Sequence, residues 1–216
     1  VAGTPVRRCR TCGLGRADGS PSPAELDRLY NRAYFQSPDP KIGYADYYAM
    51  ETGLRRTFAA RARRLRDRAG SATVTGAKSS TPTLLDVGCG PGFFVDEANR
   101  AGFRAEGIDP CREAVRYGVE RLGLDLRASG ITASPPGHLF DCITAWDVLE
   151  HLPEPLPWLQ EVRARLAPGG TLILTTGDLD SRVARWSGRY WHLFNLPEHR
   201  YFYSRGTVIR LLERAG

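Results

Sequence analysis

The chain has 216 residues, enough for one domain with a small appendage, and 42% of them are hydrophobic, enough for a sizeable core. No apolar run reaches the ~20 residues that cross a bilayer, and the opening VAGTPVRRCR has neither the apolar core of a signal peptide nor an initiator methionine. The net charge is +6, nearly all of it arginine, spread along the chain rather than interleaved with aromatics on one surface, so neither a membrane nor a nucleic-acid partner is expected.

Cys9 and Cys12 come first, a Cys-x-x-C followed by Gly13. This is half of a zinc knuckle, and a structural zinc needs four ligands; no second pair follows in the sequence. The other cysteines are Cys89, Cys111 and Cys142, and five with no regular spacing point away from a disulfide framework and towards a reducing cytoplasm. Residues 20–36 read as a short capped helix carrying Leu26, Leu29 and Tyr30. Residues 44–68 read as one long helix, because Tyr47, Met50, Leu54, Phe58, Ala62 and Leu65 recur at three and four. Small polar residues at 70–82 read as a loop.

From Thr83 the pattern alternates. Strands are expected at 84–87, 103–108, 124–128, 140–146 and 171–176, and helices at 91–101, 111–122, 154–166 and 205–215. Apolar strands between amphipathic helices imply an α/β fold: a doubly wound, Rossmann-like, mainly parallel sheet with helices on both faces. We expect two units, a small lobe at 1–43 and the sheet domain at 44–216.

The first strand ends on Asp86, and Gly88, Gly90 and Gly92 turn the chain. A glycine turn after a strand lets a ligand approach the main chain. Asp109 ends the second strand, about 20 residues on, where a carboxylate can accept hydrogen bonds from ribose hydroxyls. A nucleoside is therefore the expected ligand. A dinucleotide is the first alternative, but the third glycine comes one place too early for its fingerprint, and Asp86 would face a pyrophosphate. Asp86 suits an ammonium, so a nucleoside carrying an amino acid fits better.

The segments LLDVGCGPG, AEGIDP, FDCITAWDVLEHLPEP and LAPGGTLILTT together resemble the successive motifs of class I S-adenosylmethionine-dependent methyltransferases. The resemblance implies that Asp86, Gly88, Cys89, Gly90, Gly92 and Phe93 pass beside the methionine part of the cofactor. It implies that Asp109 holds the ribose, that Pro110 or Cys111 borders the adenine, and that Trp146 and Asp147 lie beside the sulfonium. An acidic partner for the adenine amino group after the third strand is missing; Ser129 and backbone stand there. The flanks are similar to a branch with a cysteine-bearing amino-terminal lobe, some members of which are sugar C-methyltransferases that bind zinc through four cysteines. Only Cys9 and Cys12 match those ligands. The branch's base-bearing Tyr-His-Glu-His segment has its counterpart in NLPEHRYFYS, where Glu198 and His199 match and Leu196 replaces the tyrosine. The family's sheet ends in two further strands that do not appear before Gly216, so we expect them to lie beyond it.

The expected chemistry is O-methylation of a small molecule in specialised metabolism, with sugar C-methylation, RNA methylation and a non-catalytic cofactor-binding scaffold as alternatives. His199 is the candidate general base, oriented by Glu198 or a backbone carbonyl. His151, on the cofactor's own wall, is its rival, and His192 is a third candidate. Asp147, Glu150 and His151 also resemble a divalent-metal set of some quinone O-methyltransferases, while Glu150 and His151 could instead simply cap the next helix. Of Tyr44, Tyr47 and Tyr48, at least one ring is expected over the cofactor or acceptor, and Tyr190, Trp191, Phe194 and Tyr201 are expected to line the acceptor pocket. The acceptor itself and the oligomeric state are not legible in the sequence.

Overall fold

The computed structural model of the protein describes residues 5–19, 25, 35–37, 43–72, 81–133, 138–196 and 198–216. Five parallel strands form one sheet: β3 (Thr83–Val87), β4 (Arg104–Asp109), β5 (Leu126–Ala128), β6 (Phe140–Trp146) and β7 (Leu166–Thr175), in the order β5-β4-β3-β6-β7. Leu84, Leu85, Ile108 and Ile143 are fully enclosed. Such strands are apolar throughout because both sheet faces are covered. One face carries α1 (Glu51–Ala72) and α2 (Phe93–Arg100), whose Phe58, Ala62, Leu65, Phe94 and Ala98 form a core with Leu84 and Cys142. On the other face, Val162 of α4 (Pro155–Ala164) packs against Leu85, Ile108 and Ile143. Strand order reverses between β3 and β6, and a ligand crevice is expected at the carboxyl ends there.

Several boundaries differ from expectation. The long helix begins at Glu51, not Tyr44, because the Asp46 carboxylate accepts the amides of Tyr48 and Ala49 and holds a separate 3-10 turn over Tyr48–Met50. Met50 consequently stays 47% exposed instead of joining the buried stripe. Arg55 then ties α1 to α2, pairing with Glu51, Asp96 and Glu97. β7 starts at Leu166 rather than Thr171. Phe140 pairs with Leu166 but Cys142 with Thr171, so the intervening residues bulge out through Gly169, whose φ is +77°. The helix expected at 91–101 starts only at Phe93, with Gly92 as its cap at φ +81°. The helix α3 (Arg112–Leu122) links β4 to β5, and α6 (Arg205–Ala215) closes the chain, entered through a Ser204–Thr207 capping box.

The amino-terminal hairpin, β1 (Val6–Arg8) and β2 (Gly15–Ala17), does not stand alone. β2 pairs with β8 (Tyr201–Phe202) in a three-stranded antiparallel sheet. Beneath it Ala17, Trp191 and Phe202 are buried with Ala184 of α5 (Arg182–Ser187). The helix expected at 20–36 lies outside the described residues except at Glu25, Phe35 and Gln36. Among the described residues, no strand pairs with the outer edge of β7, and no helix is long and apolar enough to cross a membrane.

Gly118 in α3 gives a test of this packing. A Cβ there would lie 2.3 Å from Leu126 Cδ1 and 2.5 Å from the Pro91 carbonyl oxygen. Alanine improves helix propensity by about 1 kcal/mol, but overpacking against backbone costs about 1–3 kcal/mol. Gly118→Ala is expected to lower the unfolding free energy in denaturant titration; a gain in stability would contradict the close approach of α3 to the turn after β3.

Candidate active site

The carboxyl ends of β3, β4 and β6 open into a cavity of about 1110 Å³. At one end sits the glycine turn. Asp109 is buried, and its two oxygens accept the amides of Gly90 and Cys111, both at 2.8 Å. A carboxylate has about four acceptor positions, so two remain for a ligand. Asp86 is 1% exposed and accepts a 2.6 Å bond from the Thr144 hydroxyl. Burial pushes its pKa up to about 8, with Asp109 adding to the rise. Gly88 and Gly90 line this end at φ +75° and +53°, and the Phe35 ring lies against Gly90. Cys89, Pro110, Cys111, Ser129 and Ile131 complete it.

The described lining does not include Gly92 or Phe93. Gly92 is needed for helix–sheet packing instead, since a Cβ there would meet Leu124 and Leu126 at 2.7 and 2.8 Å. Phe93 is buried below the turn, stacked on Tyr47 at 6.0 Å.

The other end carries three histidines, of which His192 is exposed and His151 and His199 face one another. His151, in the 3-10 turn after β6, places Nδ1 at 3.2 Å from the carbonyl of Glu198. His199 places Nδ1 at 2.8 Å from the carbonyl of Leu193. A carbonyl only accepts, so both Nδ1 atoms carry the hydrogen and both Nε2 atoms are acceptors when the rings are neutral. The rings meet edge to face at 4.7 Å. Burial, then each other's proximity, holds the pKa of His151 down to about 3. His199 is also lowered by burial, but the Leu193 carbonyl and Asp147 oppose the shift. Burial and Asp147 push Glu150 up to about 7, while the Thr176 hydroxyl donates to it at 2.9 Å. Asp147 is the one non-glycine described residue at positive φ, +54°, held by Thr175.

The expected orienting role of Glu198 is thus redistributed. Its side chain does not reach His199; Oε1 accepts the Gly43 amide and Oε2 accepts Asn195 Nδ2 at 2.8 Å. Tyr44 and Tyr47 line the cavity, ring against ring at 4.8 Å, and Trp146 and Asp147 line it from β6. Tyr190, Trp191, Phe194 and Tyr201 are absent from the described lining. Trp191 and Phe194 pack into the core beneath β2 and β8, Tyr190 stands 76% exposed, and Tyr201 bonds the Pro153 carbonyl. Phe35, Gly43 and Asn195 were missed. Their role comes from contacts across the chain, which no local pattern announces.

Two groups bear on metals. Glu150, His151 and His199 present ligand atoms within 4.8 Å of one another, close enough to share a divalent cation after a small rearrangement. Cys9 and Cys12 lie in the β1–β2 turn, where the amides of Cys12 and Thr11 hold the exposed Cys9 thiol at a pKa of about 7. Among the described residues no third ligand joins them.

The buried acids make stability pH-dependent. Asp86 and Glu150 bind protons more tightly folded than unfolded, so unfolding releases protons and rising pH favours it. Stability conferred by these groups is therefore greatest near pH 4 and is lost through about pH 8. Relative to the parent, Asp86→Asn is expected to gain at least about 1.4 kcal/mol, one pKa unit, between pH 5 and pH 8.5 in denaturant titrations of the unliganded chain. A pH-independent difference would show that Asp86 is not shifted.

Comparison with known proteins agrees with this geometry. The family model described as "Methyltransferase domain" matches residues 50–216. A ubiquinone biosynthesis O-methyltransferase of Xanthomonas campestris is 37% identical over 103 residues, 43% of this chain and 42% of that protein. A tRNA U34 carboxymethyltransferase of Klebsiella pneumoniae is 36% identical over 150 residues, 62% of this chain and 42% of that protein. The chain thus spans less than half the length of these relatives. Among solved structures, the SAM-bound amino pentose methyltransferase CalS10 of Micromonospora echinaspora aligns with a TM-score of 0.50 at 28% identity, covering 60% of this chain and 55% of that one. The plantazolicin methyltransferase BpumL shares the fold, with a TM-score of 0.60 at 17% identity over 88% of this chain and 75% of that one. The chain belongs to the methyltransferase-domain family and has the fold of the class I S-adenosylmethionine-dependent methyltransferases.

Proposed function

We propose that the chain transfers a methyl group from S-adenosylmethionine to a hydroxyl of a small molecule in specialised metabolism, with His199 as general base. One observation carries this reading. A single cavity joins a carboxylate-lined nucleoside end to two neutral imidazoles whose Nε2 atoms are acceptors. The donor set of the cofactor fits the first end. Ribose hydroxyls would use the remaining acceptor positions of Asp109, the α-ammonium would face Asp86, and Ile131, Pro110 and Cys111 offer apolar surface for the base. When bound, the cofactor supplies an electrophilic methyl group on a sulfonium.

The protein's own part is positional and basic. Tyr44 and Tyr47 line the cavity, and their rings would displace water from a bound acceptor, which strengthens polar contacts. The acceptor hydroxyl donates to His199 Nε2, and its proton passes there as the methyl group arrives. The resulting imidazolium keeps its Nδ1 bond to Leu193 and faces the Asp147 charge. His151, held near a pKa of 3, is the weaker base and serves as a neutral partner. The names of two relatives, a ubiquinone O-methyltransferase and an amino pentose methyltransferase, support a small-molecule acceptor. The tRNA-modifying relative and the +6 charge favour RNA as the second reading. RNA binding would weaken steeply with salt, whereas affinity for a small neutral acceptor would not.

Two variants separate the two ends. Asp109→Asn is expected to weaken S-adenosylhomocysteine about 10–150-fold in calorimetry, the value of one charge-assisted hydrogen bond at about 1.5–3 kcal/mol; unchanged affinity would remove Asp109 from the cofactor end. His199→Ala is expected to cut turnover by about 10²–10⁴ with cofactor affinity retained, and to abolish the acid limb of the pH–rate profile, because the base works only when neutral. Full turnover in this variant, with loss in His151→Ala, would exchange the two roles.

A further inference from the structure

Glu198 is 1% exposed, and all of its polar atoms toward the cavity are engaged. Its carbonyl accepts His151 Nδ1, its Oε1 accepts the Gly43 amide and its Oε2 accepts Asn195 Nδ2. These partners come from three different parts of the chain: the turn after β6, the segment preceding α1, and the loop before β8. The segment bonded through Gly43 reaches both ends of the cavity. Phe35 lies against Gly90 in the glycine turn, the Tyr47 amide donates to the Phe35 carbonyl, and the Ser37 amide donates to the Tyr44 carbonyl. Tyr44, next in the chain to Gly43 and so beside the Glu198 carboxylate, lines the cavity with its ring against Tyr47. Gly43 itself sits at φ +62°, a conformation that frees its N–H to point at a carboxylate.

We propose that the Glu198 carboxylate is a positioning residue of the acceptor end: it pins Gly43, and with it Tyr44, at the histidine end of the cavity, beside the backbone carbonyl of the same residue, which holds the His151 tautomer. This rests on the reading that the histidine end takes the acceptor. A buried carboxylate is costly unless it is hydrogen-bonded, and the two N–H donors give each oxygen a partner. Losing the carboxylate leaves the partly buried Gly43 and Asn195 amides without their acceptor. The segment then gains freedom, while the cofactor turn, organised separately by Asp109, keeps its geometry. Glutamine retains one carbonyl oxygen for Gly43, so it preserves the tether; alanine cannot.

The test reads the tether directly by NMR of ¹⁵N-labelled full chain, with no acceptor needed. In the parent, the Gly43 amide is expected to exchange slowly with solvent and the His151 ring shifts to report hydrogen on Nδ1. Glu198→Ala should speed Gly43 exchange at least about tenfold, while the His151 tautomer, set by the backbone carbonyl that alanine keeps, stays the same. The Gly90 amide, bonded to Asp109, should keep its protection within about threefold. Glu198→Gln should restore slow Gly43 exchange. Unchanged Gly43 exchange in the alanine variant overturns the proposal. Equal loss at Gly43 and Gly90 in both variants also overturns it, because that pattern means general destabilisation. None of these signals depends on methyl transfer, so a failure of the base assignment leaves this result standing and readable.

Discussion

The arrangement depends first on one buried carboxylate. Asp109 accepts the amides of Gly90 and Cys111 and so joins the turn after β3 to the turn after β4. The strands beneath are locked in register, Asp86 opposite Gly107 on one side and Thr144 on the other. Chain reversal at positive φ on Gly88 and Gly90 is tolerable only because no Cβ is present and because the bent loop has an acceptor for its amide. From this joint the cavity opens between β3 and β6, where the strand order reverses. A ligand with hydroxyl and ammonium donors satisfies what the joint leaves over.

The cavity keeps its two ends electrically distinct. At the turn, burial raises both aspartates, so each gains from a ligand that donates hydrogen bonds or positive charge. At the other end, burial lowers both histidines and leaves them as neutral acceptors. The same desolvation therefore acts in opposite chemical senses on acids and bases and prepares both halves of a group transfer. Backbone carbonyls decide which ring nitrogen is available; the carboxylates nearby act on other donors or through space.

The sheet domain was legible because its signals are local. Alternating apolar strands and amphipathic helices gave every strand from β3 to β7 and the helices between them, and the motif spacing pointed to the cofactor turn. Boundaries failed where a side chain or glycine redirected the backbone. Asp46 delayed the start of α1, and Gly169 let β7 begin early through a bulge. The aromatic run at 188–202 failed for a deeper reason. A dense aromatic sequence reads the same whether it lines a pocket or fills a core. The pairing of β2 with β8, across nearly the whole chain, drew Trp191 and Phe194 under the small sheet. The histidine pair was named from the sequence, but its fixed tautomers and the reassignment of Glu198 to Gly43 rest on long-range contacts that no spacing rule contains.

The most direct measurement is a calorimetric titration of the chain with S-adenosylhomocysteine and, separately, with NADH. A nucleoside end built on Asp109 and faced by Asp86 predicts one site that takes S-adenosylhomocysteine and no comparable affinity for NADH, whose pyrophosphate would face Asp86. Tighter binding of NADH, or no binding of S-adenosylhomocysteine, would contradict the account.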